Sequence, residues 1–220
     1  MNKNFMVDGN TIKKICGYAE LKKDDVVLEI GAGTGNLTAE LLKKCSVIAV
    51  ERDRNFAEVM RNKFASGNLT VIEGDALKVN FPKFNKIVSN LPYSISRKIT
   101  EKILEYEFDL AVLVYQREYA EKLTAKPGQK NYRCISAIAQ SCSEIEILDS
   151  LSPEVFRPEP EVTSAIVCIR PKFKIDNDYI NFVKSLFNNR NKIIKGAGKR
   201  VYELDSGEIL GLYNKFCAGF

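Results

Sequence analysis

Histidine is missing from this chain of 220 residues. The absence excludes catalytic triads that depend on imidazole and metal sites with histidine ligands, and with them many hydrolase functions. The six cysteines include no C-x-x-C pair, which argues against a zinc ribbon or a thioredoxin-type redox site. We therefore expect chemistry that needs neither an imidazole nor a bound metal.

Long apolar segments are missing as well. Apolar runs are short, as at residues 110–115, so no segment is expected to span a membrane. The start, MNKNFMVDGN, lacks the apolar core of a signal peptide, so we expect the mature protein to begin there and to be cytoplasmic. Nothing in the sequence requires a protein partner or a dimer, and we expect a monomer.

Positive charge is concentrated in two windows without acidic residues, residues 124–133 and 188–200, in a chain of formal net charge +5. A single basic window is most often solvated surface. Two windows in one chain favour contacts with nucleic-acid phosphates. The candidate RNA-binding residues are Lys126, Lys130, Arg133, Arg190, Lys192, Lys195, Lys199 and Arg200.

Strand-like and helix-like segments alternate through the first two-thirds of the chain, which is typical of an α/β fold with a largely parallel sheet. The predicted parallel strands are residues 26–30, 46–50, 69–72, 86–89 and 110–115. Residues 144–151 and 163–169 suit an antiparallel pair that closes the sheet, and a helix is predicted over 95–106. After Pro171 the pattern is helical and basic, so we divide the chain into residues 1–172 and a short helical domain, 173–220.

A glycine-rich loop, GAGTG at residues 31–35, joins the first of these strands to a helix. Glycine lets the backbone turn sharply and approach a ligand closely, so Gly31, Gly33 and Gly35 are candidate cofactor-binding residues. Acidic residues end the next two strands. Glu51 is placed to bind ribose hydroxyls, and Asp75 is placed to accept a hydrogen bond from an adenine amino group.

A dinucleotide-binding dehydrogenase is the alternative interpretation of this loop. The spacing G-x-G-x-G differs from G-x-G-x-x-G, and no second mononucleotide-binding unit follows. Glu29, directly before the loop, marks the methyltransferase version, and the loop resembles motif I of class I methyltransferases. That resemblance implies a Rossmann-like seven-stranded sheet and S-adenosyl-L-methionine as the cofactor.

The stretch NLPY, residues 90–93, follows the fourth predicted strand. An adenine N6-amino group is a poor nucleophile because its lone pair is delocalised into the ring. The Asn90 side-chain carbonyl and the Leu91 main-chain carbonyl can take both amino hydrogens and localise that lone pair. Pro92 rigidifies the turn. Tyr93 can stack on the flipped base, a contact worth roughly 1–3 kcal/mol in single-strand recognition.

NLPY resembles motif IV of amino methyltransferases, and its leucine-containing form resembles that of rRNA adenine dimethyltransferases. Lys3 stands where that family usually has glutamine. The other stretches that resemble the family, in order, are NFMVD at 4–8, YQREYA at 115–120, NYRCIS at 131–136, PEVFRPEPEVTS at 153–164 and RNK at 190–192. The chain thus resembles the KsgA-type small-subunit rRNA adenine N6,N6-dimethyltransferases.

This resemblance implies transfer of four methyl groups from S-adenosyl-L-methionine to two adjacent adenines of small-subunit rRNA, on a pre-30S-type particle during subunit biogenesis. Residues 1–172 would be the methyltransferase catalytic domain and residues 173–220 a basic RNA-binding domain, shorter than is usual in the family. The implied cofactor contacts are Asn4, Met6, Gly31, Glu51, Asp75 and Asn90. The implied target-base pocket is Asn90, Leu91, Pro92, Tyr93 and Phe156, with Phe156 as its other wall.

Other functions stay open at this point. A large-subunit rRNA adenine methyltransferase of the macrolide-resistance type shares every catalytic motif and differs only in its RNA substrate. A DNA adenine methyltransferase usually has D-P-P-Y and an added target-recognition domain, and a protein-glutamine methyltransferase would need proline at position 91. A non-catalytic ribosome assembly factor would dock on RNA without needing the intact site residues.

Overall fold

The computed structural model describes residues 4–64 and 67–218, so Lys3 and the last two residues of the predicted C-terminal domain lie outside it. Its strands are β1 (Phe5–Met6), β2 (Val26–Ile30), β3 (Ser46–Glu51), β4 (Leu69–Glu73), β5 (Lys86–Asn90), β6 (Leu110–Gln116), β7 (Ser143–Leu151), β8 (Phe156–Arg157) and β9 (Ser164–Pro171). Its α-helices are α1 (Gly9–Tyr18), α2 (Asn36–Leu41), α3 (Arg54–Lys63), α4 (Ser96–Ile103), α5 (Arg117–Thr124), α6 (Cys134–Cys142), α7 (Asn177–Phe187) and α8 (Ser206–Cys217).

A seven-stranded sheet, in the order β4-β3-β2-β5-β6-β9-β7, forms the centre of the molecule. Strands β2 to β6 are all parallel to one another, and β9 runs antiparallel to both β6 and β7. The prediction of an α/β fold with a seven-stranded sheet and an antiparallel closing pair is therefore confirmed. Strands β1 and β8 form a separate antiparallel pair.

The central strands are buried on both faces, which explains their nearly continuous apolar sequences. In β2, Leu28 and Ile30 belong to an apolar cluster that also contains residues of α4, α5 and α6. Val27, directly before Leu28, belongs to a second cluster with residues of α1, α2 and α3. Because successive side chains of a strand point to opposite faces, the helices form layers on both sides of the sheet.

The helix predicted over residues 95–106 is shorter than expected. A 3₁₀ turn, Tyr93–Ile95, comes first, and α4 spans Ser96–Ile103. After α4 the amide of Glu105 bonds the carbonyl of Lys102, a tighter turn than an α-helix makes.

Helices α7 and α8 pack against α6. Their buried residues Tyr179, Ile180, Val183 and Ile209 extend the same apolar cluster that contains the α4–α6 side chains. The Tyr132 hydroxyl, just before α6, donates a hydrogen bond of 3.1 Å to the carbonyl of Leu204. No described helix has the length and apolar character needed to cross a bilayer.

A crevice is expected where chain connections leave neighbouring strands in opposite directions. From β2 the chain continues to β3 and β4 on one side, whereas from β5 it continues to β6 on the other. The glycine-rich loop follows β2 and NLPY begins at the last residue of β5, so both lie at this crevice.

Candidate active site

A cavity opens at the carboxyl edge of the sheet. It is lined by the segments that follow β2, β3, β4 and β5, together with residues of the N-terminal segment. The structure brings together there most of the predicted cofactor and target-base residues: Asn4, Met6, Gly31, Gly33, Glu51, Asp75, Asn90, Leu91, Pro92 and Tyr93.

The glycine-rich loop and NLPY are in direct contact. Gly31 has a φ of 75°, in the left-handed region that favours glycine. A Cβ atom added at Gly31 would lie 2.9 Å from Cγ of Pro92, closer than carbon atoms approach without a shift. The glycine-rich loop can therefore pack this closely against Pro92 of NLPY only because residue 31 has no side chain.

Backbone amides hold Glu51 at the cavity. The Glu51 carboxylate accepts hydrogen bonds of 2.9 Å from the Gly33 amide and 2.8 Å from the Asp53 amide. Because its orientation is fixed by the main chain, it is preorganised to meet a ligand.

Asp75 begins a tight turn after β4. One oxygen of its carboxylate accepts from the Leu77 amide at 3.0 Å, and its main-chain carbonyl accepts from the amides of Lys78 and Val79. The neighbouring Ala76 also lines the cavity. The turn thus holds the Asp75 carboxylate at the cavity.

Glu29 is a buried acid near Glu51, and it also lines the cavity. Burial raises the pKa of Glu29 to about 8, a hydrogen bond from the Thr38 hydroxyl opposes the rise, and the nearby Glu51 carboxylate adds to it. The Thr38 hydroxyl donates to Glu29 Oε2 at 2.7 Å. Glu29 is therefore mainly protonated at neutral pH.

The two polar atoms of the Asn90 side chain differ in their hydrogen bonding. Its Nδ2 donates a hydrogen bond of 3.0 Å to the Asn4 carbonyl. Its Oδ1 is buried and has no hydrogen-bond partner within the described part of the chain. Buried acceptors are normally paired, so an orphan at a cavity calls for a donor from a ligand. The amino group of an adenine fits this requirement.

The N-terminal segment is tied across the cavity at several points. In the β1–β8 pair, Phe5 is opposite Arg157 and Met6 is opposite Phe156. The Asn36 side chain donates to the Met6 carbonyl at 2.9 Å. The sequence motif at residues 4–8 indicated that this segment matters, but not that the Asn4 main chain orients Asn90.

Tyr93 is anchored by a residue far away in sequence. Its hydroxyl shares a hydrogen bond of 2.5 Å with the hydroxyl of Ser164, which is fully buried on β9. Burial raises the pKa of Tyr93, and the bond to Ser164 opposes that rise. Ser164 is the last residue of PEVFRPEPEVTS, so the motif contained it, although the sequence did not indicate its role.

Two of the predicted cofactor and target-base residues lie outside the cavity lining. The Phe156 ring is completely buried in the cluster on the α1–α3 face, so in this conformation it does not form the other wall of a base pocket. Gly35 precedes α2 with a φ of 76°, and a Cβ there would lie 2.7 Å from the Phe64 ring. Glycine at position 35 therefore serves the contact between α2 and the residue that follows α3.

The two basic windows adjoin in space, and we call their eight predicted residues the basic surface. The Gly128 amide, in the first window, donates a hydrogen bond of 2.8 Å to the carbonyl of Tyr202, which lies two residues after the second window. The Arg190 guanidinium lies over the Tyr202 ring, 4.8 Å from its centroid. Lys199 pairs with Glu208 at 2.8 Å. Exposed members include Lys126, Lys130, Lys192, Lys195 and Arg200, whereas Arg133 is half-buried.

Helix α7 leads directly into the second basic window, and it packs beside α4. Near the start of α7, Asn177 bonds Glu105, which follows α4, and Lys184 further along α7 pairs with Glu101 within α4. The two helices therefore run in opposing directions. Because α4 starts directly after NLPY, residues 188–200 follow α7 toward the end of the molecule that holds the cavity.

Comparisons with known proteins agree on one family. The family model described as "Ribosomal RNA adenine dimethylase" matches residues 1–208. A protein of Thermococcus sibiricus described as "Probable ribosomal RNA small subunit methyltransferase A" is 41% identical, covering 96% of this chain and 77% of the relative. A relative of the same description from Methanothermobacter thermautotrophicus is 41% identical, covering 87% of this chain and 71% of the relative.

Solved structures show the same similarity in three dimensions. A dimethyladenosine transferase from Plasmodium falciparum superimposes with a TM-score of 0.88 at 27% identity, covering 97% of this chain and 98% of that one. The 23S rRNA methyltransferase ErmE superimposes with a TM-score of 0.74 at 25% identity, covering 96% and 99%.

Proposed function

This chain belongs to the ribosomal RNA adenine dimethylase family, and from that premise we propose a residue-level account of its reaction. The protein is an rRNA adenine dimethyltransferase that transfers methyl groups from S-adenosyl-L-methionine to adenine N6 atoms of small-subunit rRNA. The unpartnered Oδ1 of Asn90 carries the account, because it is the acceptor that the reaction needs in the cavity.

The catalytic group is a pair of acceptors. Asn90 Oδ1 and the Leu91 carbonyl take the two amino hydrogens of the target adenine, which localises the lone pair on N6. The Asn4 carbonyl keeps the Asn90 amide turned so that its oxygen, not its nitrogen, is open. Tyr93, held by Ser164, supports the base by stacking. These residues position the nucleophile, which in well-oriented systems supplies much of the rate enhancement.

The cofactor residues bind and orient. When bound, S-adenosyl-L-methionine supplies an electrophilic methyl group on a sulfonium, which needs no further activation. Glu51, fixed by the Gly33 and Asp53 amides, is the acceptor for ribose hydroxyls. Asp75 accepts from the adenine amino group of the cofactor, and Gly31 permits the close approach of the loop. No strong general base is required, which is consistent with a chain that has no histidine.

The basic surface supplies phosphate contacts to the RNA. It extends from residues 188–200, at the cavity end of α7, to residues 124–133. We place the work of this protein in the cytoplasm, on a pre-30S-type particle, as a monomer whose residues 1–172 catalyse and whose residues 173–220 help to bind RNA. The sister function, methylation of large-subunit rRNA, shares the cavity chemistry and differs in the RNA bound.

The first experiment identifies the substrate. The protein is incubated with labelled S-adenosyl-L-methionine and with small or large ribosomal subunits from cells that lack the modification, and the digested RNA is examined for dimethyladenosine. Label in small-subunit RNA is expected. Label in large-subunit RNA would assign the protein to the sister function, and no label with tight subunit binding would favour an assembly factor without turnover.

The second experiment tests the acceptor pair. Asn90→Ala removes Oδ1, and we expect kcat to fall by at least about 100-fold, the cost of losing one preorganised polar group at a reacting centre. RNA binding, measured by filter retention, should be unchanged. Asn80→Ala, at an exposed asparagine, is the matched control. Near-normal turnover of Asn90→Ala would refute the mechanism.

A further inference from the structure

Lys102 makes an unusual set of contacts beside the cavity. From α4, its ammonium donates hydrogen bonds to the carbonyl of Ala76 at 2.8 Å and to the carbonyl of Val79 at 2.5 Å. The same Nζ lies 4.3 Å from the centroid of the Phe81 ring. A lysine has three N–H donors, so two main-chain acceptors and a ring face occupy most of what it can offer.

The turn that Lys102 holds is the one that carries Asp75. Within the turn, the Asp75 carbonyl already accepts from the amides of Lys78 and Val79. Those bonds close the turn on itself, whereas the bonds from Lys102 attach it to another element. Ala76, one of the two carbonyl partners, is buried and lines the cavity.

The helix that carries Lys102 begins at the target-base motif. Tyr93 and Ile95, in the 3₁₀ turn that leads into α4, line the same cavity as Asp75. One side chain thus connects the motif after β5 with the turn after β4. The neighbouring residue Glu101 contacts a different element, since it pairs with Lys184 of α7.

The ammonium is held despite partial removal from water. Burial lowers the pKa of Lys102, and the carboxylates of Glu105 and Asp75 oppose that change. Glu105 itself is bonded by Asn177. The nearby carbonyl dipoles and the ring face favour the charged form, so the position suits a lysine that is kept for its charge and not merely for its stem.

We propose that Lys102 is a positioning residue that fixes the Asp75–Ala76 turn and thereby sets the affinity for the adenosyl portion of the cofactor. The inference rests on the proposed role of Asp75 in binding that portion. It adds that Asp75 is held in place by α4, the helix that the NLPY segment leads into. A residue that only stabilised the fold would not affect cofactor affinity selectively.

The test uses Lys102→Met, which keeps an unbranched apolar side chain and removes the ammonium. Calorimetry with S-adenosyl-L-homocysteine and steady-state kinetics with saturating RNA give the Kd, the KM for S-adenosyl-L-methionine and kcat. We expect Kd and KM to rise about tenfold, as for the loss of one charge-assisted contact, with kcat within about twofold of wild type. Lys98→Met, at an exposed lysine of the same helix, should change none of these.

Lys102→Arg keeps the charge and the donors, so it should recover most of the affinity. Lys102→Gln, which also removes the ammonium, replaces Lys102→Met if that variant does not fold. The proposal is refuted if Lys102→Met lowers the thermal unfolding midpoint while Kd stays unchanged, or if kcat falls and KM does not. Binding of S-adenosyl-L-homocysteine needs no RNA. A tenfold loss of binding in an enzyme that labels no rRNA would therefore refute the proposed function and leave the role of Lys102 standing.

Discussion

The cavity and the basic surface are built from different kinds of contact. At the cavity, main-chain groups fix the functional side chains, as the Gly33 amide does for Glu51 and the Asn4 carbonyl does for Asn90. On the basic surface, Lys192 and Lys195 are exposed and have no ion-pair partner within residues 4–64 and 67–218. Single atoms therefore decide function at the cavity, whereas on the basic surface the sum of charges does.

Beyond the Asn90→Ala experiment, the comparison predicts the largest effect on binding at Gly31. Gly31→Ala places a residue with a φ of 75° in the left-handed region, which costs about 1–2 kcal/mol. It also drives a methyl group into the Pro92 ring. We expect the Kd for S-adenosyl-L-homocysteine, measured by calorimetry, to rise at least about tenfold. Gly17→Ala, where an added Cβ meets open space, is the control and should bind normally. If both variants bound S-adenosyl-L-homocysteine equally well, single atoms at the cavity would not decide its binding.

The basic surface should respond in smaller, additive steps. Changing Lys192 and Lys195 to Gln should make the salt dependence of RNA binding less steep. The slope of log K against the logarithm of the salt concentration should fall in magnitude by about 0.7 to 0.9 per lost phosphate contact. Lys199→Gln should do less, because Lys199 already pairs with Glu208. The double change Lys13→Gln and Lys23→Gln, at exposed lysines in and just after α1, controls for net charge. An unchanged salt slope would make the second window solvated surface.

The last effect concerns folding stability and not binding. The pKa of Glu29 is raised from 4.5 to about 8, so between these values the folded state binds a proton that the unfolded state has lost. Folding stability from this group is therefore present below pH 4.5 and lost as the pH rises to about 8. Glu29→Gln should remove that dependence, measured as the free energy of unfolding in urea at pH 5, 6, 7 and 8.

Glu146→Gln, at an exposed side chain of β7, should keep the wild-type dependence. If wild type and Glu29→Gln lost stability in parallel across this range, the Glu29 carboxyl group would not be protonated in the folded state. Glu29 would then be a second fixed anion at the cavity, beside Glu51. The cavity would differ from the basic surface in the sign of its charge as well as in its contacts.

Much of the fold was predictable because its signals are local. Strands buried on both faces are short apolar runs, and glycine or an acid at their carboxyl ends marked the cavity in advance. The helix over residues 95–106 was predicted too long, mainly because the sequence pattern does not show that the chain after Ile103 tightens into turns such as the one that Lys102 and Glu105 close.

The remaining site features depend on distant pairs. Tyr93 and Ser164 are 71 positions apart, and Asn4 and Asn90 are 86 positions apart. Periodicity and spacing carry no information about such contacts. The same holds for Lys102, which appears in the sequence as one more charged residue of an amphipathic helix. Phe156 shows the converse, because a motif match could name it but could not reveal that its ring is fully buried.

The pairing of β1 with β8 also sets the order in which the protein can become active during its synthesis. Met6 leaves the ribosome early, but its strand partner is Phe156, and Phe5 pairs with Arg157. Contacts across such long separations form only after the intervening chain has been made and closed. The segment that orients Asn90 therefore lacks its strand partner until residue 157 has emerged. The strand pair beside the cavity is thus completed only after most of the chain has been synthesised.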